Sequence, residues 1–314
     1  MPLWKKKKPK KKPSQKPKSK PTTSLTAPKP FVPYTPPFAS PEKGYALQLD
    51  KSHFYPKEST TPKPKFDPER EFLKIFKTLT YRYRAWDVWN DFIVMTACSL
   101  SNPVDKTHYE EREARYLRII KKYNKPDRQK FPALFAQTVM ALELNPEQDF
   151  LGKLYTMLGL CDDGRKQHFT PYSVCAMMAK ITLEDIVDQV RRDGFVTIND
   201  PCCGAGATLI ASANVAKEAL AKASLNFQNH ILIAAQDIDE TVALMCYIQL
   251  SLLGVAAYIK IDNTLTNPMS PTDTLENYWF TPMYFSDVWS MRRAVHKMDE
   301  LLRKGVNNEK SPDM

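Results

Sequence analysis

The sequence predicts an α/β fold, a parallel sheet with connecting helices, preceded by an all-helical region. Three observations predict it. The β-branched run Phe195-Val-Thr-Ile198, which reads as a buried strand, stops at Asp200-Pro201, turns through Gly204 and Gly206, and continues as a helical pattern of Leu209, Ile210, Ala213 and Ala216. Two more apolar runs, 230–235 and 256–261, lead directly into acids, Asp237 and Asp262. Between 67 and 163 apolar residues recur at helical spacing instead.

The first 65 residues cannot contribute to a core. Ten lysines and no acid stand in residues 1–20, and 14 of the 25 prolines in residues 1–65. Such a stretch is expected to stay extended and disordered. The net charge of +10 resides in those lysines, because the other 294 residues hold 35 basic against 35 acidic side chains. A basic tail on a neutral body suits a grip on nucleic-acid phosphates; the plain alternative is a solubilising tail. Phe31, Tyr34, Phe38, Tyr45, Phe54 and Tyr55 alternate with prolines, which fits a docking segment or a linker equally.

Order is expected to begin at Asp67-Pro68, an N-cap followed by proline at the first helical position. Phe72, Ile75, Phe76 and Leu79 then share one helix face, and Trp86, Trp89 and Ile93 continue the pattern to Leu100. Tyr81-Arg-Tyr-Arg84 reads as a helix face, aromatics in and arginines out. Helices are also expected over 110–123 and 131–144, giving a helical region 66–163 followed by a core 164–314. Within that core, Val174, Met177, Met178 and Ile181 form an apolar stripe read as buried core.

The Gly turn carries the chemistry. A strand, a tight glycine turn and a helix present backbone N–H groups to a ligand, and glycine lets that ligand approach without a Cβ in the way. Asp237, 33 residues beyond Gly204, stands at the second strand tip, where a carboxylate accepts from ribose hydroxyls. No Gly-x-x-x-x-Gly-Lys-Ser/Thr is present, which disfavours a phosphate-cradling NTPase. The six cysteines show no Cys-x-x-Cys spacing, so no metal is expected and reduced thiols in a cytoplasm are the default. No apolar run approaches membrane-spanning length and no signal peptide is read.

Phe169-Thr-Pro171, Asp200-Pro-Cys-Cys-Gly-Ala-Gly206 and Asp237, in that order, resemble the S-adenosylmethionine-binding motifs of adenine-N6 DNA methyltransferases. The modification subunits of type I restriction systems and small phage-type N-6 DNA methylases are the nearest in pattern. The resemblance covers roughly residues 148–285. It implies a Rossmann-like methyltransferase core, S-adenosylmethionine as cofactor, DNA as partner, and the cytoplasm of a bacterial or phage-infected cell. It further implies that Gln167, Phe169, Thr170 and Pro171, with Asp200, Cys202, Gly204 and Gly206, hold the methionine end. Asp237 and Ile238 would then meet the ribose side, and Asp262 or Asn263 would cap the adenine.

The family's Asn-Pro-Pro-Tyr is missing. Thr281-Pro-Met-Tyr284 reads equally as an ordinary loop with exposed aromatics or as the base site in its place, with Thr281 and Pro282 accepting from the target amine and Tyr284 stacking the flipped base. Only 30 residues follow Tyr284, read as one amphipathic helix from Val288 to Leu302, so the sheet is expected to be short or completed by another chain. Three functions follow as expectations: adenine-N6 DNA methylation; a catalytically inactive cofactor- and DNA-binding protein acting in anti-restriction or regulation; or a subunit needing a partner, such as a specificity subunit, for target recognition.

Overall fold

Asp67 opens the first helix as its sequence suggests. Its carboxylate accepts from the Arg70 N–H at 3.2 Å, and Pro68 takes the first helical position, where its missing N–H is not needed. The computed structural model of the chain describes residues 66–161, 169–295 and 298. The basic tail, the aromatic–proline stretch, Gln167 and the far end of the expected C-terminal helix lie outside the described residues.

Among the described residues the chain opens with the helices α1 (Pro68–Thr80), α2 (Ala85–Ser101), α3 (Tyr109–Ile120), α4 (Lys125–Arg128), α5 (Lys130–Leu144), α6 (Phe150–Met157) and α7 (Tyr172–Thr182). Then follow α8 (Ile186–Asp193), β1 (Val196–Asp200), α9 (Ala207–Lys222), β2 (Ile231–Asp237), α10 (Glu240–Leu252), β3 (Ala256–Ile261) and β4 (Tyr278–Phe280). Residues 287–295 are again helical. Among the described residues, no helix is long and apolar enough to cross a membrane.

The architecture is mixed α/β around one four-stranded sheet in the order β1-β2-β3-β4. The expected parallel arrangement holds for β1, β2 and β3, each pair separated by a helical connection. It does not hold for β4, which runs antiparallel to β3 with Tyr258 opposite Phe280 and Lys260 opposite Tyr278. The link from β3 to β4 contains no crossover helix, so the chain simply folds back beside the strand it has left.

One continuous core serves the helices and the sheet, running from Phe72 to Trp279. Phe72 anchors the helical side, with edge-to-face contacts to Trp89, Phe92 and Phe150 at 6.0, 5.4 and 6.0 Å between ring centroids. Two arginines tie α3 to the sheet side. Arg112 lies buried over the Trp279 ring at 3.8 Å and donates to the Tyr278 carbonyl at 2.7 Å and to Asp105 at 2.8 Å. Arg115 grips Glu240, the first residue of α10, with two bonds of 2.6 and 2.7 Å.

Three local expectations are corrected. Tyr81–Arg84 is the turn between α1 and α2 rather than a helix face, and Tyr81 is exposed. Arg82 pairs there with buried Asp127, and Tyr83 packs edge-on against Tyr123, which draws the chain away from the helical path. Residues 195–198 are not a buried strand: β1 is the sheet's edge, and its Thr197 and Asn199 are exposed. The α7 stripe is not core either, since Val174, Met177, Met178 and Ile181 are 39, 58, 47 and 70% exposed. The opposite face of α7, Cys175 and Ala179, packs against Ala207 and Ala211 of α9. Small residues on both helices let the axes approach there, so that side takes the burial.

Candidate functional site

The carboxyl ends of β1, β2 and β3 come together at one edge of the sheet. Register places Asp200 beside Ala235 and Asp237 beside Ile261, so the acids ending the three strands cluster there. The turn after β1 is held by the neighbouring strand: Cys203 N–H donates to the Gln236 carbonyl at 3.0 Å, and Gly204 N–H donates to Asp237 Oδ2 at 2.8 Å. Asp237 Oδ1 accepts from the Asp239 N–H at 3.0 Å, and the Asp237 carbonyl accepts from the Asp262 N–H at the same distance. The backbone bonds pin the carboxylate without filling its roughly four lone-pair sites, so acceptor capacity remains. Burial pushes the Asp237 carboxyl above its ordinary range.

The two glycines of the turn are required by conformation and by space. Gly204 and Gly206 have φ +51° and +92°, the left-handed region that other residues rarely occupy. A Cβ on Gly206 would lie 2.7 Å from Cys246 Sγ on α10; one on Gly204 would meet the Phe169 ring at 3.3 Å. Gly206 caps α9, whose first turn follows a loop exposed at Pro201 and Cys202 and half-buried at Gly204. This backbone cradle suits a ligand that lies flat against it.

The adjoining loops complete the rim. Asp262 Oδ2 accepts from Asn267 at 2.8 Å, and Asn263 Oδ1 accepts from the Leu265 N–H at 2.9 Å, so both side chains organise the turn after β3. Thr264 Oγ1 donates to the Pro201 carbonyl at 2.5 Å and closes that turn onto the first. Cys202 N–H donates to Asp200 Oδ1 at 3.1 Å, leaving the Cys202 side chain exposed. Ile238, beside Asp237, is 64% exposed, an apolar side chain presented at the rim. Phe169, Thr170 and Pro171 line a cavity of about 370 Å³ together with Asp149, Gly152 and Thr156. Phe169 is buttressed edge-on by Tyr155 at 6.0 Å, and Tyr155 in turn lies 5.7 Å from Trp89, so the helical region supports this wall.

Two residues here carry no motif. Gln249 lies fully buried on α10, and its amide spans the site: Nε2 donates to Asp149 Oδ1 at 2.8 Å and to the Ala205 carbonyl at 2.9 Å, while Oε1 accepts from the Leu151 N–H at 3.1 Å. The available signal was a lone buried amide in the otherwise apolar run Val242 to Leu250. Asp149 caps α6 through the Gly152 N–H at 2.9 Å. An aspartate opening a helix reads as an ordinary cap, so sequence does not separate it from any other. Among the described residues, no group of three or more His, Cys, Asp or Glu is placed to hold a metal ion.

The N-6 DNA Methylase family model matches residues 147–314, more than half of the chain. The chain belongs to the N-6 DNA methylase family. No curated protein and no solved structure matches it. The family match takes in α6, the Phe-Thr-Pro loop, the Gly turn and all four strands.

One set of expected N-6 DNA methylase residues is not brought to the rim. Thr281 stands beside Ala257, at the amino end of β3, because β4 runs antiparallel. It is fully buried: its hydroxyl donates to the Val255 carbonyl at 2.7 Å and accepts from the Ala257 N–H at 2.8 Å. Pro282 and Tyr284 follow it, with the Tyr284 ring packed against Phe280 and under Arg293 at centroid distances of 4.8 and 4.0 Å. At a rise of about 3.3 Å per residue, Ala257 and Asp262 are roughly 17 Å apart along β3. Expecting Thr281, Pro282 and Tyr284 to receive a base beside the cofactor rim is at odds with this placement.

Proposed function

We propose that the chain binds S-adenosylmethionine along the carboxyl ends of β1, β2 and β3 and serves methylation of adenine N6 in DNA. The observation that carries the reading is the coupled pair at the strand tips: Gly204 N–H held by Asp237, with Gly206 at φ +92° opening the way to α9. The residues present fit the group. The backbone of the glycine turn suits the methionine end, and the spare acceptor sites of Asp237 suit ribose hydroxyls. Ile238 offers apolar cover, and Asp262 and Asn263 stand at the next strand end for the adenine. When bound, the cofactor supplies an electrophilic methyl group. The chain's own part is to hold that group still and to exclude water.

Calorimetry tests the reading. Asp237→Ala is expected to weaken S-adenosylmethionine binding by about 1–3 kcal/mol, the cost of unpaired ribose hydroxyls. No binding by the unaltered chain would sink the proposal.

A second reading has its own observation. With Thr281 locked into β3 roughly 17 Å from the rim, the groups that accept from the target amine come from another chain. The protein is then a cofactor-binding subunit that methylates only with a partner. Tritium transfer from labelled cofactor to unmethylated DNA, with and without candidate partners, separates the two readings: transfer by the chain alone refutes the second.

A further inference from the structure

Asp149 is held where a ligand cation would meet it. One of its oxygens is occupied: Oδ1 accepts from the Gly152 N–H and from Gln249 Nε2. Oδ2 has no partner among the described residues, and it lies over Gly152, where a Cβ would come within 2.0 Å of it. Glycine at 152 therefore makes room for the carboxylate. Asp149 also lines the cavity of about 370 Å³ walled by Phe169, Thr170 and Pro171. The cation in that wall, Lys153, reaches away to Glu69 at 2.5 Å and does not neutralise it.

A carboxylate with a free oxygen in a largely apolar cavity is costly unless a cation pairs with it. Burial pushes the Asp149 carboxyl up, the signature of that cost. The cavity adjoins the Gly turn by two routes. Gln249 Nε2 bridges Asp149 Oδ1 and the Ala205 carbonyl, and the Phe169 ring lines the cavity while lying against Gly204. A ligand on the turn that extends past Phe169 thus meets the Asp149 carboxylate in the adjoining cavity, apart from Asp200 and Asp237 at the strand tips.

We infer that Asp149 receives the α-ammonium of the cofactor's amino-acid end and selects for ligands that carry one. This rests on the S-adenosylmethionine reading above. The cavity then takes the amino-acid end, while the nucleoside lies along the strand tips.

The test is calorimetry on the full chain with three ligands: S-adenosylmethionine, S-adenosylhomocysteine and 5′-methylthioadenosine, which lacks the ammonium. Asp149→Asn and Asp149→Ser both keep a helix-capping acceptor. Each is expected to bind the first two ligands about 10- to 100-fold more weakly, the range of a charge-assisted hydrogen bond, and methylthioadenosine within about twofold. Unchanged affinity for S-adenosylmethionine, or an equal loss for methylthioadenosine, overturns the inference while leaving the cofactor reading standing. No binding of any ligand by the unaltered chain overturns both. Should the variants fail to fold, the unaltered chain still decides: it is expected to bind deaminated S-adenosylhomocysteine at least about tenfold more weakly than the parent compound, and equal affinities refute the role.

Discussion

Gly206 is the residue on which the site turns. Its φ of +92° and the 2.7 Å approach that a Cβ would make to Cys246 Sγ act together. Gly206→Ala is expected to destabilise the fold by about 1–2 kcal/mol from the left-handed backbone alone, with the contact adding to that. Urea unfolding measures the loss, and an alanine variant as stable as the parent would mean the turn can adopt another conformation. The thiols nearby differ in kind. Cys202 is exposed in the turn, whereas burial pushes the Cys98 thiol up to about 11 and places it out of reach of ordinary alkylation.

At the scale of elements, β4 decides what the C-terminal third does. Its antiparallel return beside β3 turns Thr281 into a structural pin, bonded to the Val255 carbonyl and the Ala257 N–H. Thr281→Val keeps the shape and leaves both partners unpaired. It is expected to cost about 1–3 kcal/mol in stability, read by chemical unfolding, with S-adenosylmethionine affinity unchanged in calorimetry. A variant of full stability that loses cofactor affinity would return Thr281 to the site. The helix α7 shows the same dependence on neighbours. Val174, Met177, Met178 and Ile181 stand at a spacing that suits burial, yet the packing surface of α9 accepts only the small-residue side.

For the whole molecule, charge separates the parts. The ten lysines of residues 1–20 sit on a chain that is otherwise balanced, 35 against 35. If they grip phosphates, deleting residues 1–20 weakens DNA binding alike on all sequences and flattens its dependence on salt. Titrations at several salt concentrations check this, and an unaltered slope would assign the lysines another role. The helical region is more than an addition to the cofactor half. Trp89, Tyr155 and Phe169 pack in sequence toward Gly204, and Arg115 holds the first residue of α10. The site's rim is therefore braced from residues well before the Gly turn.

What the sequence determined by itself is what short-range physics encodes. The cap at Asp67, the strand–glycine–helix unit at 196–222, and the acids closing β2 and β3 are each written within a few residues, as periodicity, a breaker or a cap. The tertiary structure alone decided strand order, the direction of β4, which face of α7 is covered, and the bond between Asp149 and Gln249, 100 residues apart. Those depend on which surfaces meet after the chain has closed on itself. An edge strand and an interior strand share one local pattern, and an aspartate beside a cavity has the same local signature as one that merely caps a helix.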